Sequence, residues 1–454
     1  MDSGMEANDL LPSSKLAEGV FQMKRMFRSF SALVSGVMLS AGAIGVSTAQ
    51  AEDWSKFRGP GANGLPANLN QGLPVTWSDS ENVVWKTELP GIGASSPVLF
   101  KGKIYLTAHD GYGLDKDNPG DMSKLTRKLL CIDAKSGKVE WTAEQSSLSE
   151  QEKFASFTLL HGYASGTPAV DASGIYVFYG TSGAAAYDFD GKQRWITECG
   201  KGTHVFGTSN SPVIYKNVVI VNASVECGDL IGLDSATGKE VWRAKGMDAS
   251  WNTPIVVSTP SGDELVVSVK GKVLAFNPAN GEKLWECKGI DDYICPSVFE
   301  YDNVLFACGG RKNTIVAIKP GGRGDVTESH TLFRLAKGSN VSSPIIVNGR
   351  LYWFSESKGI AYCADAKSGE MIYEERVEPK PERFYASPVA ADGNIFFVSR
   401  IDGTFVVPAS DKFTVSAVNK FESDSSIFNG SPIVDSGKLY LRSDKFLYCI
   451  GKAK

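Results

Sequence analysis

SPIIVNGRLYWFSESKGIAYCADAKSGEMIY, residues 343–373, contains every element of the unit from which this chain is built. Ser343-Pro344 opens it and a β-branched run follows. Asn348-Gly349 then supplies residues that tolerate the positive φ angles of a two-residue hairpin turn. Arg350-Leu-Tyr-Trp353 is rich in the aromatic and branched residues of a half-buried strand. A third strand through Cys363 runs into Asp365-Ala-Lys-Ser-Gly369, a turn in which Asp bonds its own backbone and Gly takes the strained φ. Tyr373 returns four residues later on a fourth strand.

The same unit recurs along the chain. Small residues precede proline at Ser96-Pro97, Thr167-Pro168, Ser211-Pro212, Thr253-Pro254, Cys295-Pro296, Ser343-Pro344, Ser387-Pro388 and Ser431-Pro432. Successive prolines lie 71, 44, 42, 42, 48, 44 and 44 residues apart. The second turn is also repeated, with Asp133 to Gly137 leading to Trp141, Asp234 to Gly238 to Trp242, and Asn277 to Gly281 to Trp285. Four antiparallel strands in about 40–45 residues form a propeller blade, whose edges are protected by radial repetition. Eight anchors predict an all-β, eight-bladed β-propeller.

The chain ends predict how the ring closes. After Pro432 there are three strands and no fourth, whereas residues 82–89 read as a fourth strand with no blade before it. They are expected to complete the last blade. The propeller is thus assigned to residues 83–454, preceded by an N-terminal segment at 52–82. The 71-residue gap places two insertions in blade one, at roughly 110–127 and 143–163. Blades five and seven carry degraded turns, at Lys319 to Gly324 and Pro408 to Asp411.

Met23-Lys24-Arg25 and an apolar stretch to Val46, followed by Ala49-Gln50-Ala51, have the form of a signal peptide at residues 23–51. Residues 1–22 read as an upstream extension without stable structure, or as a mis-assigned start. The expectation is an exported, periplasmic or extracellular monomer with no membrane-spanning segment after cleavage. A formal net charge of −4 over 454 residues gives no polybasic footprint for nucleic acid.

Of the eight cysteines, Cys131, Cys363 and Cys449 share one strand position, which marks them as small buried residues. Cys295 and Cys308 flank a hairpin and are a candidate disulfide; Cys199 with Cys227 is a weaker one. No Cys-x-x-Cys or zinc spacing occurs. The acidic loop Asp115 to Asp121 lacks the alternation of a calcium loop and reads as solvated, so no metal site is assigned. Nucleophile elbows, phosphate-binding loops and zinc-protease helices are absent, and no catalytic residue is assigned.

In a propeller the connections between blades and the middle hairpin turns share one face. That face receives the unusual residues. Three positions before the anchor prolines stand Trp251, Tyr293, Tyr385 and Asn429. The hairpin turns add Arg311 and Arg400, and the inter-blade connections add His161 and His204. These eight are the candidate ligand-binding residues, since loops on one rim of a rigid scaffold commonly carry binding sites.

The Asp-Ala-x-Ser/Thr-Gly turn with its trailing Trp, joined to Ser-Pro-Val and Gly-x-x-Tyr, resembles the pyrroloquinoline-quinone-like propeller repeat over residues 83–450. Trp54 to Pro60 and His161 to Pro168 are similar to secreted propellers of planctomycete-type bacteria. One branch of the wider family, the quinoprotein alcohol dehydrogenases, implies pyrroloquinoline quinone with Ca²⁺ and a pair of adjacent cysteines, which this chain lacks. The other, the outer-membrane β-barrel assembly lipoprotein, implies a non-catalytic scaffold. Its lipid-bearing Cys has no counterpart, because the first cysteine is Cys131. The resulting expectation is a cofactor-free binding or scaffold propeller of the cell envelope. Its partner would be a protein, a glycan or a small molecule. A quinone-dependent alcohol or sugar dehydrogenase is the alternative, and a purely structural envelope protein the second.

Overall fold

Proline stands immediately before the innermost strand in seven of the eight blades, and the turn residues set the hairpins that follow. The result, in a computed structural model that describes residues 53–452, is eight antiparallel sheets arranged as blades. Blade one is Val98–Phe100, Lys103–Asp110, Thr126–Asp133 and Val139–Ser146 in that order, and its neighbours repeat the meander. The second insertion therefore starts at residue 147, four later than the sequence pattern placed it, because the strand runs on to Ser146. The signal peptide and upstream extension assigned to residues 1–51 lie outside the described residues.

Closure occurs as the chain ends predicted. Val83–Glu88 pairs antiparallel with Phe446–Ile450 and becomes the outer strand of the last blade. Blade five reaches its outer strand, Thr331–Leu335, through the short helix Thr327–His330, and Gly324–Asp325 adds a fifth, parallel strand to blade four. No helix among the described residues is long and apolar enough to cross a membrane.

The repeated turn and the trailing Trp prove to serve adjacent blades. Gly238 (φ 72°) sits beneath Trp195 of the preceding blade, and a Cβ there would fall 2.6 Å from the indole. Trp195 Nε1 donates to Ser235 O of the same turn at 3.0 Å. Trp85 to Ala134 O and Trp141 to Phe189 O repeat the bond at two other seams. The aromatic is a staple between blades, and Gly provides both its positive φ and the space. Consistent with this, the apolar clusters lie at the seams, such as Phe100, Tyr105 and Cys131 against Ile175 and Val177. The axis is left free for another use.

All eight cysteines are free thiols, so the expected Cys295–Cys308 bridge is not formed. Cys308 Sγ instead bonds the backbone of Ser339, accepting from its N–H at 3.1 Å. Cys131, Cys363 and Cys449 are buried as expected, each opposite an outer-strand aromatic: Trp141, Tyr373 and Trp85. Burial pushes each of these thiols up to about 12.

Candidate functional site

Around the axis the small anchor residues do more than precede a proline. Ser96 N–H donates to Thr167 Oγ1, Thr167 N–H to Ser211 Oγ, and Ser211 N–H to Thr253 Oγ1. Thr253 follows to Ser297, Ser297 to Ser343, Ser343 to Ser387, Ser387 to Ser431, and Ser431 back to Ser96. Every bond in this closed ring is 2.9 or 3.0 Å. In blade five the ring member is Ser297, not Cys295, so the anchor there is displaced two residues from the small-residue–proline pattern. Cys295 consequently occupies the position that Trp251 and Tyr385 hold in their blades, and Tyr293 reaches the axis from the connection before it.

The hydroxyl ring floors a cavity of about 370 Å³. The N-terminal segment closes its far end. Trp54 O and Ser55 O accept from Leu99 and Val170 in blades one and two, whereas Arg58 Nη2 donates to Pro344 O in blade six. The chain crosses the axis between these contacts, and Phe57 lines the cavity from below. The result is a blind funnel.

Its wall is aromatic. Phe206 is the hub, meeting Trp251 at 5.0 Å, Tyr293 at 5.2 Å and Phe157 at 4.5 Å between ring centroids. Trp251 Nε1 donates to Gly207 O at 2.8 Å, which holds the indole in place. Opposite them, Tyr385 lines the same space. The Arg311 and Arg400 guanidinium groups each lie 4.8 Å from a ring centroid, behind Tyr293 and Tyr385 respectively. Polar groups interrupt the wall: Asn340 Nδ2 donates to Tyr293 Oη at 2.8 Å and to Glu356 Oε2 at 3.3 Å. Arg383 Nη1 lies 3.8 Å from Glu356 Oε1 and 3.4 Å from Tyr385 Oη.

The second blade-one insertion reaches over the mouth. Leu160, at the end of the 3-10 turn Ser156–Leu160, offers its carbonyl to Asn429 Nδ2 at 2.6 Å and Arg400 Nη2 at 3.3 Å. Arg400 Nε in turn donates to Asn429 Oδ1 at 3.0 Å. Behind the cap, His161 Nε2 faces Phe206 O at 2.9 Å, an atom that can only accept. Nε2 therefore carries the proton, and Nδ1 accepts from the Ser165 hydroxyl at 2.7 Å. Burial lowers the pKa of this imidazole and keeps it neutral.

Of the eight expected residues, Trp251, Tyr293, Tyr385, Asn429 and His161 line the cavity. Arg400 and Arg311 stand behind its tyrosines, and Arg311 is also paired with Asp292 at 2.9 Å. His204 packs on the outer side of Trp251 and Phe206, accepting from Phe206 N–H at 3.1 Å. Sequence reasoning missed Phe206, Phe157, Asn340, Arg383 and Phe57.

Residues 127–373, more than half the chain, match the family described as outer membrane protein assembly factor BamB. The chain belongs to this family of pyrroloquinoline-quinone-like propellers. No curated protein is significantly similar in sequence. Among solved structures, BamB from Moraxella catarrhalis aligns with TM-score 0.57 at 15% identity, covering 82% of this chain and 97% of that one. A europium-containing methanol dehydrogenase aligns with TM-score 0.61 at 10% identity, over 88% and 98%. The quinohemoprotein alcohol dehydrogenase from Comamonas testosteroni gives 0.57 at 11%, over 89% and 81%. At such identities these neighbours establish the propeller, and the site must speak for its own chemistry.

Proposed function

We propose that this protein is an exported, non-catalytic binding propeller of the cell envelope that takes a ligand into its blind funnel. The observation that carries the reading is the funnel itself: a preformed space of about 370 Å³, walled by aromatics and dotted with a few polar groups. Spaces of ~300–1,000 Å³ with that lining are the usual form of small-ligand sites. Its imidazole and its thiol are poorly suited to catalysis. His161 is neutral with both nitrogens bonded, and burial holds the Cys295 thiol up at about 12, far from its nucleophilic thiolate.

The donor set also weighs against pyrroloquinoline quinone with Ca²⁺. Calcium takes six to eight oxygen ligands, several of them carboxylates. Glu356 is the sole carboxylate among the residues lining this cavity, and its oxygens already face Asn340 and Arg383. No group of three His, Cys, Asp or Glu residues among the described ones is placed to hold a metal.

The family membership supports a location in the envelope, and the signal-like stretch at residues 23–51 supports export. The test has two arms. Protein incubated with the quinone and Ca²⁺ is expected to gain neither a cofactor absorption band nor dye-linked alcohol oxidation. Protein recovered from its native envelope is expected to release a small ligand on denaturation, and Tyr385→Leu protein to release less. Quinone-dependent oxidation would overturn the reading.

A further inference from the structure

We propose that the funnel accepts the neutral, hydroxyl-bearing end of a saccharide, an assignment that rests on the ligand-binding reading above. The floor carries the first argument. Each ring hydroxyl accepts one backbone N–H, and among the described residues none donates. A hydroxyl has one proton and two lone pairs, so each retains a donor and an acceptor. All eight residues are at least nine-tenths buried, and all but Ser211 line the cavity. A floor of uncharged groups that both give and receive hydrogen bonds is complementary to a ligand edge of the same character, which is what a sugar presents.

The wall carries the second. An aromatic face is electron-rich, so it attracts the polarised C–H groups on the flat side of a pyranose. Trp251, Tyr293 and Tyr385 all bring rings to the cavity. Charge carries the third. The guanidinium of Arg400 is engaged by Asn429, Leu160 O and the Tyr385 ring, and that of Arg311 by Asp292 and the Tyr293 ring. Arg383 faces Glu356, so the charges at the wall oppose each other and favour a neutral occupant.

Asn340 supplies the sharpest indication. Its Nδ2 faces a carboxylate and a tyrosine oxygen, which fixes the orientation of the amide. Its Oδ1 is buried without a partner. A buried acceptor in that state calls for a donor. A sugar O–H, or the N–H of an acetamido sugar, is such a donor. The cap at Leu160 narrows the mouth, which suits a chain end better than a continuous polymer.

The test is titration of the mature protein with methyl glycosides of glucose, galactose and N-acetylglucosamine. Glucuronate serves as the charged counterpart and the quinone with Ca²⁺ as the non-sugar probe. Binding is read by calorimetry and by tryptophan fluorescence. At least one neutral glycoside should bind saturably and perturb the indole signal. Asn340→Leu and Tyr385→Leu should each weaken it about tenfold or more, whereas Tyr385→Phe, which keeps the ring, should stay close to wild type. Unchanged melting temperatures would show that the variants fold. If no neutral glycoside saturates while glucuronate or the quinone does, the saccharide assignment falls and the funnel remains a ligand site. If no probe binds and native protein releases no ligand, both fall.

Discussion

Glu226 lies behind the funnel wall with its carboxyl almost wholly removed from solvent. Burial raises its pKa from 4.5 to about 7, opposed in part by the hydrogen bond from the Thr208 hydroxyl to Oε1. Oε2 has no partner. Below pH 4.5 the group is neutral whether the chain is folded or not, so it exerts no pH-dependent penalty. Between 4.5 and about 7 the unfolded chain releases the proton and the native one keeps it, so stability falls with rising pH. The gap of about 2.5 pKa units, at 1.36 kcal/mol each, amounts to ~3 kcal/mol lost once the pH exceeds 7. Glu226→Gln removes this titration while keeping an acceptor for Thr208. Its new amide N–H₂ sits where Oε2 was unpaired, at a fixed cost of ~1–3 kcal/mol that does not vary with pH. The slope therefore carries the answer. Asp444, also raised to about 7 by burial, titrates equally in both proteins and cancels in the difference. Denaturant midpoints measured from about pH 4 to about pH 8 should show the variant losing ~3 kcal/mol less than wild type over that span. Parallel profiles would refute the claim that this carboxyl is buried without compensation.

Two further outcomes follow from the seams and the cap. Trp195→Ala removes a buried indole and its bond to Ser235 O, and should cost ~3–5 kcal/mol in denaturant unfolding. Gly238→Ala, which strains a φ of 72° and presses on the same indole, should destabilise too; a loss below ~1 kcal/mol for Trp195→Ala would contradict the staple. Asn429→Ala deletes the bonds that hold Leu160 O and Arg400 Nε, and should speed amide exchange over residues 156–163 by about ten- to a hundredfold. Unchanged protection there would mean that the cap is held without Asn429, by packing and by the bond from Arg400 Nη2 to Leu160 O.

The propeller was legible because its blades are built by local signals: a proline at the inner strand, a hairpin turn, and a Gly that admits an aromatic. Those signals also fixed which face each loop occupies, and so led to Trp251, Tyr293 and Tyr385. Their reach ends where the pattern slips. In blade five Cys295-Pro296 satisfies the small-residue–proline rule, yet the ring oxygen comes from Ser297, since what the axis requires is a hydroxyl and not a proline. Phe206, Phe157 and Asn340 lie in connections with no periodicity, and only tertiary contacts bring them to the wall. Arg400 and Asn429 are on the expected face, and they also bond the carbonyl of a loop more than two hundred residues earlier in the chain, a contact that no local signal announces.

The hydroxyl ring joins the architecture to the site. One side-chain oxygen per blade is the least that can link eight inner strands into a closed circuit, and Ser or Thr is small enough to stand where the blades converge. A backbone carbonyl could accept the same N–H, but it has no proton to offer. Alanine would leave both the neighbouring N–H and the floor without a partner. Because each hydroxyl uses only its acceptor capacity to close the ring, the same residues that hold the blades together leave their protons for whatever enters the funnel. Replacing Ser387 by Ala should therefore affect stability and ligand affinity together, whereas Tyr385→Leu, which leaves the hydroxyl ring intact, should act mainly on affinity. A Ser387→Ala protein that is destabilised by ~1–3 kcal/mol yet binds its ligand unchanged would separate the two roles, and would show that the floor is structural.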